Sequence, residues 1–483
     1  MTSAVEMMAS IVPVGGAAGC DAAETFVYPG KTCGTQPRQL EETARLIALD
    51  KDEQGDDRPF YVVDLERVER QFEQWRRLLP RVRPYYAVKC NADPPLLRRL
   101  RELGCGFDCA SKREIQAVLD LQLADFDAGR DIVFANPCKT RNFVRFSNAK
   151  GVDLMTFDNE EELRKIRDVF PQARLVLRIA VSDPTAVCQL GMKFGCEPTV
   201  GGPDLLATGA KLGLTVVGVS FHVGSGCRDP TAFGVAIAHA RRLFKLGHTM
   251  GHPMTLLDIG GGFPGFPSPE ITFEQIVEVV NGALDHHFGA DIASEKVEVI
   301  AEPGRFFAAA AYSLCCNVIA STRVAASRVT DQPDEAGDGF MYYINDGVYG
   351  SFNCVLYDHY EPIGRPLFQQ TPVREEEYYW SSVWGPTCDG LDLVVRRCRL
   401  PALREGDWLL FDNMGAYTLA AGSEFNGFEK PHIFHLPVKD LDDRVQSRGV
   451  LANGSEGSDG EEWSSGAVSL TGSFSSFISC FID

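Results

Sequence analysis

Lys89 comes directly after Tyr85–Val88, a run of aromatic, small and β-branched residues that predicts a buried strand. The scaffold would hold a lysine at such a strand end while its amine faces a cleft. Burial lowers the pKa of a lysine and makes the neutral amine available for Schiff-base chemistry. A lone lysine in this position is more often an ordinary charged residue that ends a strand. The functional interpretation therefore depends on the rest of the chain.

Eight apolar stretches with strand character lie between residues 84 and 301: Pro84–Lys89, Gly106–Ala110, Asp131–Asn136, Val152–Phe157, Ala173–Ile179, Thr215–Val223, Thr255–Ile259 and Lys296–Ala301. Segments with helical spacing lie between them, among them Pro95–Leu103, Lys112–Leu121, Glu160–Val169 and Pro230–Leu246. Strands that alternate with helices in this way predict an α/β fold, a (β/α)8 TIM-type barrel rather than an open sheet.

Polar residues or glycines stand at the carboxyl end of every predicted strand, which is where such barrels place their sites. In chain order they are Lys89, Asp108, Asn136, Asp158, Arg178, His222 with Ser225, Gly260 to Gly262, and Glu302 with Arg305. One polar strand end is ordinary. A lysine, a triglycine and several charged residues at successive strand ends predict one crown-shaped site.

The triglycine Gly260–Gly262 and the segment Glu302-Pro-Gly-Arg305 suggest a phosphate site. Glycines let backbone N–H groups approach phosphate oxygens, and an arginine binds them in a bidentate fork. The triglycine segment also fits G-x-G-x-x-G, but Phe263 and Pro264 prevent the immediate helix that a dinucleotide site requires. A phosphate near a Schiff-base lysine describes pyridoxal 5'-phosphate.

Glu302 and His222 acquire a function in that setting. A carboxylate against the pyridine nitrogen keeps the ring protonated and makes it a strong electron sink. His222 ends an apolar strand and is followed by Val-Gly-Ser-Gly. We expect it to face the ring rather than the core.

The pattern changes after Arg305. Strand-like runs at Phe340–Ile344, Leu393–Arg396, Trp408–Phe411 and His432–Leu436 alternate with turns, which predicts a second, all-β, antiparallel C-terminal domain of barrel or sandwich type, with a strand added from Pro59–Leu65. The expected boundaries are 65–311 for the cofactor-binding barrel and 38–64 plus 312–440 for the β-domain. Composition predicts a mobile extension at 1–37 and a disordered, acidic Gly/Ser-rich tail at 441–483.

Composition limits the partners and the compartment. The net charge of -19 over 483 residues argues against nucleic acid or an anionic membrane as a partner. The 15 cysteines form no repeated framework, so reduced thiols and a cytoplasmic location are expected. Cys105 and Cys109 lack a second pair or a nearby histidine, so no metal site is expected. The sequence contains no run of 18 apolar residues, so no membrane span is expected.

Longer motifs resemble the eukaryotic ornithine decarboxylase family, in order, from about residue 40 to about residue 430. They include Tyr-Tyr-Ala-Val-Lys89-Cys-Asn, Gly-Phe-Asp108-Cys-Ala-Ser, Phe-His222-Val-Gly-Ser225-Gly-Cys, Ala-Glu302-Pro-Gly-Arg305, Leu-Tyr357-Asp358-His, Trp-Gly-Pro-Thr-Cys388-Asp389-Gly and Asn-Met-Gly-Ala-Tyr417-Thr. The resemblance implies a fold-type III pyridoxal-phosphate decarboxylase. It would convert L-ornithine to putrescine and CO2, the first step of polyamine biosynthesis, as a homodimer with shared active sites.

The resemblance also implies a role for each matching residue. Lys89 would form the Schiff base, His222 would stack on the ring and Glu302 would meet the pyridine nitrogen. Residues that would support the cofactor or hold its phosphate are Asp108, Arg178, Ser225, Gly260, Gly261, Gly262, Gly304, Arg305 and Tyr417. The remaining roles concern the substrate. Cys388 of the partner subunit would protonate the α-carbon. Tyr357 and Asp358 would bind the distal ammonium together with Asp389 of the partner subunit.

Two alternatives stay open. A related decarboxylase could accept lysine or arginine, because one methylene is worth only ~1–3 kcal/mol in a pocket. An inactive antizyme-inhibitor-like homologue would bind a regulatory protein, but such proteins lose cofactor residues that this chain keeps. An antizyme-type regulator is also a candidate partner of the enzyme itself. Loss of CO2 leaves a carbanion, and two carboxylates for one ammonium select a diamino acid. The first argument favours a decarboxylase and the second a diamino acid, and Asp358-His359 with Cys388-Asp389 favours ornithine.

Overall fold

The computed structural model describes residues 37–181, 191, 193–267, 270–368 and 374–437. The predicted extension at 1–37, apart from Pro37, and the predicted tail at 441–483 lie outside these ranges. Within these ranges, no helix is long and apolar enough to cross a membrane.

Eight parallel strands close into a barrel, which confirms the (β/α)8 prediction. Strand β1 (Phe60–Val63) belongs to a second sheet, and the barrel strands are β2 (Val82–Ala87), β3 (Gly106–Cys109), β4 (Ile132–Phe134), β5 (Leu154–Phe157), β6 (Arg174–Ile179), β7 (Thr215–Phe221), β8 (Leu256–Asp258) and β9 (Glu298–Ala301). Each lies within the stretch predicted for it, apart from the first two residues of β2.

Helices surround the barrel and precede it: α1 (Pro37–Gln54), α2 (Leu65–Leu78), α3 (Pro94–Glu102), α4 (Lys112–Asp120), α5 (Ala128–Asp131), α6 (Arg141–Ala149), α7 (Glu160–Val169), α8 (Gly201–Lys211), α9 (Thr231–Thr249), α10 (Phe273–Ala293) and α11 (Arg305–Ala308). Caps fix several of their starts. The Ser111 side chain accepts the Glu114 N–H before α4, and Thr272 and Gln275 form a capping box at α10.

Apolar side chains fill the barrel and a polar layer lies beside them. The filling cluster consists of Tyr85, Val133, Ala135, Leu154, Val176, Val217, Leu256 and Ile300. Strand register places Asp258 beside Ile300, Ser220 beside Asp258, Arg178 beside Ser220, and Asp108 beside Val133. Neighbours in register point to the same side of a sheet. These four polar side chains therefore share the interior face of the barrel with the apolar cluster.

The predicted second, β-rich part is confirmed. It contains β1 with β10 (Tyr312–Ala325), β11 (Asp338–Ile344), β12 (Gly364–Pro366), β13 (Tyr378–Trp384), β14 (Leu393–Pro401), β15 (Trp408–Phe411) and β16 (His432–His435). The sheet is mixed rather than wholly antiparallel, because β11 runs parallel to β13 and β1 runs parallel to β16. Two short helices, α12 (Ala326–Thr330) and α13 (Asn353–Tyr357), interrupt it.

Strand β10 connects the parts of this sheet but was not predicted from the sequence. It pairs with β1, β15 and β11 along its length. Its first seven residues are buried, whereas most of the following ones are exposed. No single hydrophobic period therefore runs through the whole strand.

Candidate active site

Lys89 lies in a single 3-10 turn, Val88–Cys90, directly after β2. Its Nζ forms an ion pair with Asp108 Oδ2. The Asp108 side chain is fully buried, whereas 37% of the Lys89 side chain is exposed. Burial lowers the pKa of Lys89, but the charge of Asp108, with smaller effects of Tyr417 and Glu302, holds that pKa above its ordinary value. The expectation of a lowered lysine pKa is therefore wrong, because Asp108 stabilises the ammonium.

His222 follows β7 at the mouth of the barrel. Its Nδ1 accepts the Gly224 N–H at 2.9 Å. Burial, with the positive charges of Arg178 and Lys89, holds the pKa of His222 well below its ordinary value. The ring is therefore neutral, and because Nδ1 accepts a hydrogen bond, its hydrogen is on Nε2.

The triglycine follows β8 and passes close to this histidine. A Cβ at Gly260 would lie 2.0 Å from the Phe221 carbonyl oxygen, and one at Gly261 would lie 2.8 Å from His222 Nε2. Gly260 and Gly262 have φ of +63° and +109°, where a side chain is strained. Only glycine fits this turn, so the backbone itself forms the wall of the site.

Arg305 begins α11 and points toward the second sheet. Its Nη2 lies 3.2 Å from Ser225 Oγ and also contacts the Asp358 carboxylate. The guanidinium carbon lies 5.2 Å from the centre of the Tyr417 ring. Gly304 lets this segment approach the lysine turn, since a Cβ there would lie 2.9 Å from Cys90 Cβ.

Tyr417 joins the sheet to the lysine turn. Its N–H donates to the Cys90 carbonyl at 3.0 Å, and its φ of +57° is unusual for tyrosine. Burial raises the pKa of its phenol. The hydroxyl therefore stays protonated as a donor for an anion at neutral pH.

Glu302 and Arg178 complete the buried part of the site. Glu302 follows β9, and its N–H donates to the Gly260 carbonyl at 2.6 Å. Burial and the charges of Asp258 and Asp108 raise its pKa well above the ordinary value. Arg178 is buried, with its guanidinium carbon 5.4 Å from the Phe194 ring centre. Asp258, two residues before the triglycine, is a further buried carboxyl group of the site that was not predicted from the sequence.

Cys388 and Asp389 lie in the loop between β13 and β14. The Tyr349 hydroxyl donates to Asp389 Oδ2, and Cys388 is exposed. Asp358 follows α13, beside Tyr357, which is 71% exposed. Among the interactions of the described residues, none joins Cys388 or Asp389 to Lys89. One copy of the chain thus brings together all predicted site residues except those of this loop and Tyr357.

Comparisons with known proteins agree with this geometry. Residues 65–309 match the family described as pyridoxal-dependent decarboxylase, pyridoxal binding domain. The viral arginine decarboxylase of Paramecium bursaria Chlorella virus has a similar structure, with a TM-score of 0.74 and 34% identity over 82% of this chain and 100% of that one. The chain belongs to the pyridoxal-dependent decarboxylase family.

Two curated relatives are similar over most of their length. The ornithine decarboxylase of Panagrellus redivivus is 52% identical over 81% of this chain and 89% of its own. Antizyme inhibitor 2 of Xenopus laevis is 48% identical over 78% of this chain and 80% of its own. Within the family, the chain is thus similar both to an ornithine decarboxylase and to a protein named as an antizyme inhibitor.

The site suits the family's cofactor, pyridoxal 5'-phosphate. A glycine turn that a Cβ would fill lies against Ser225 and Arg305, which supply a hydroxyl and a cation for a phosphate. The buried Asp108 Oδ1 has no hydrogen-bond partner among the described residues. A lysine amine, a neutral imidazole and a buried carboxyl group are present around this turn. The residues therefore fit the cofactor.

Proposed function

We propose that the chain decarboxylates L-ornithine to putrescine and CO2 with pyridoxal 5'-phosphate, as the first step of polyamine biosynthesis in the cytoplasm. The observation that carries the substrate assignment is the position of Asp358. Its carboxylate contacts Arg305, which lies over Tyr417 next to the lysine turn, and it would bind a second, distal ammonium of the substrate.

When bound, the cofactor supplies a ring that withdraws electrons from the α-carbon. We assign it to the barrel domain, residues 65–311, next to a β-domain formed by 38–64 and 312–440. Lys89 would hold it covalently. Its phosphate would bind the N–H groups of the triglycine turn, the Ser225 hydroxyl, the Arg305 guanidinium and the Tyr417 hydroxyl. Gly304 would keep Arg305 close to the lysine turn.

The remaining buried groups would act on the ring. Glu302 would accept a hydrogen bond from the ring nitrogen and keep it protonated. His222, neutral and held by Gly224, would pack against one face of the ring. Asp108 would orient the amine of Lys89, and Arg178 would balance the buried carboxylates.

We further propose that a second copy of the chain completes each site. Its Cys388 would deliver a proton to the α-carbon after CO2 leaves, and its Asp389 would bind the distal ammonium together with Asp358 and Tyr357. This is supported by the lack of any described interaction between this loop and Lys89 within one copy. An antizyme-type protein would be its regulator.

The experiment uses the full-length protein with pyridoxal 5'-phosphate and either L-ornithine or L-lysine. We expect equal amounts of CO2 and putrescine from ornithine, and a lower kcat/KM for lysine. Lys89→Ala should abolish both products, whereas Lys150→Ala, at an exposed lysine, should not. A protein that releases no CO2 but binds an antizyme would support the inactive, antizyme-inhibitor-like alternative, which the Xenopus relative represents.

A further inference from the structure

Asp258 is a fully buried carboxyl group with no part in the function described so far. It ends β8 two residues before the triglycine, and its Oδ1 accepts the Gly260 N–H at 2.9 Å. Its other oxygen, Oδ2, has no hydrogen-bond partner in the described part of the chain that could donate to it. A buried polar atom of this kind requires an explanation.

Glu302 is the group that faces Asp258. Strands β8 and β9 are neighbours, and the Glu302 N–H donates to the Gly260 carbonyl. The side chains of Asp258 and Glu302 are hydrogen-bonding partners of one another. Two ionised carboxylates can only accept, so this bond needs a hydrogen on one of them. That hydrogen belongs to the pair itself, since Oδ2 has no donor of its own.

The charges around the pair also favour one retained proton. The charged groups that face it are Asp108 from β3, Arg178 from β6 and Lys89 from the turn after β2. Two cations thus stand among three carboxyl groups. If Asp258 and Glu302 keep one proton between them, the buried charges sum to zero, and an uncompensated buried charge is avoided. Burial raises the pKa of both carboxyl groups, which acts in the same direction.

We propose that Asp258 is a positioning residue that shares one proton with Glu302 and so fixes the orientation of the Glu302 carboxyl group toward the cofactor ring. The proposal rests on the proposed function, which assigns Glu302 to the ring nitrogen. In the apoprotein this hydrogen lies on Glu302, the carboxyl group whose pKa is raised further, and Asp258 accepts it. When the ring N–H donates to Glu302, Asp258 would hold the hydrogen instead, so that Glu302 can accept from the ring. Asp258 acts only through Glu302, as the outer partner of a hydrogen-bonded ligand does.

Two substitutions separate donation from charge. Asp258→Asn keeps an acceptor for the Gly260 N–H and gives Glu302 an amide donor, whereas Asp258→Leu is of similar size and does neither. We expect Asp258→Asn to keep kcat for ornithine within about threefold of wild type, because a neutral donor is retained. Asp258→Leu should lower kcat about 10- to 100-fold with little change in KM, as expected for loss of a hydrogen bond to a charged group.

A second readout uses the full-length apoprotein and no substrate. The folded pair retains a proton that unfolded Asp and Glu release above about pH 4.3. Above about pH 4.3 the folded state then binds more protons than the unfolded state. The unfolding temperature therefore falls as the pH rises above this value. Asp258→Asn has no proton to share and removes a negative charge beside Glu302, so this part of the pH dependence should decrease, although burial still raises the pKa of Glu302. Glu302→Gln should lose it too, but kcat should fall as well, because Glu302 itself meets the ring.

Two results would overturn the proposal. One is a loss of kcat in Asp258→Asn as large as in Asp258→Leu, which would mean that Asp258 works as an anion. The other is an unfolding curve of Asp258→Asn that keeps the wild-type pH dependence. If Asp258→Leu does not fold, the comparison of Asp258→Asn with Glu302→Gln decides. Failure of wild type to decarboxylate ornithine would refute the proposed function alone, because the unfolding curves test proton sharing without substrate.

Discussion

The guanidinium group of Arg305 forms an ion pair with the carboxylate of Asp358. Arg305 belongs to the barrel and Asp358 to the second sheet, and only 17% and 11% of their side chains are exposed. The proposed phosphate-binding cation and the proposed ammonium-binding anion thus neutralise one another. Phosphate that binds Arg305 would draw it away from Asp358 and free that carboxylate for the substrate.

Asp358→Asn is expected to raise KM for ornithine about 10- to 100-fold, because a hydrogen bond to a charged group contributes ~1.5–3 kcal/mol. Affinity for pyridoxal 5'-phosphate should not fall, because Arg305 loses a competing anion. Steady-state kinetics and a cofactor titration measure the two effects. Asp338→Asn, at the exposed ion pair with Arg323, is the control and should change neither. A loss of cofactor affinity larger than the rise in KM would speak against this division of roles.

Mixing Lys89→Ala chains with Cys388→Ala chains tests the shared site. If each site takes Lys89 from one copy and Cys388 from the other, half of randomly reassorted dimers are mixed, and each holds one intact site of two. Activity should recover to about a quarter of wild type. Subunit exchange is confirmed separately with tagged chains. No recovery despite exchange would place both residues in sites made by one copy.

Gly260→Ala and Gly213→Ala separate steric fit from backbone strain. Both glycines have positive φ, +63° and +68°, but only a Cβ at Gly260 meets other atoms, whereas nothing lies within 4 Å of one at Gly213. Strain alone costs ~1–2 kcal/mol of unfolding free energy, which is the loss expected for Gly213→Ala. Gly260→Ala should lose more and also weaken cofactor binding. Equal losses in denaturant unfolding would show that the turn relaxes around the methyl group.

His222 should make the apoprotein less stable in acid. Its pKa is lowered in the fold, so below the ordinary histidine pKa of about 6.5 the unfolded state binds a proton that the folded state does not. The free energy of unfolding then decreases by about 1.4 kcal/mol for each pH unit below this value. His222→Asn should remove that slope, and His248→Asn, at an exposed histidine, is the control. An unchanged slope in His222→Asn would assign the effect to other groups.

The sequence was sufficient to predict the barrel and most of its mouth. Each barrel strand is a short apolar run that ends in a polar residue or glycine, and this signal is local. It identified Lys89, His222 and Glu302 at their strand ends. The ion pairs were not predictable in this way. The contact between Arg305 and Asp358 joins residues 53 positions apart, and depends on how the second sheet lies against the barrel.

Two further features could not be predicted from the sequence, for physical reasons. Asp258 is a single acidic residue in an apolar strand, and its importance comes from Glu302 on the neighbouring strand rather than from its own surroundings in sequence. The raised pKa of Lys89 reflects Asp108, Tyr417 and Glu302, which together outweigh the effect of burial. Pairwise electrostatics of this kind requires coordinates.

Strand β1 has a consequence for synthesis of the chain. Phe60 pairs with Cys315, so β1 leaves the ribosome about 250 residues before its antiparallel partner. At ~5–20 residues per second this is a wait of about 12–50 seconds, during which the barrel can form but β1 cannot pair. All four of its residues are apolar and buried in the finished sheet. A nascent chain that stalls before Tyr312 therefore carries an apolar strand without its antiparallel partner, which is a site for aggregation.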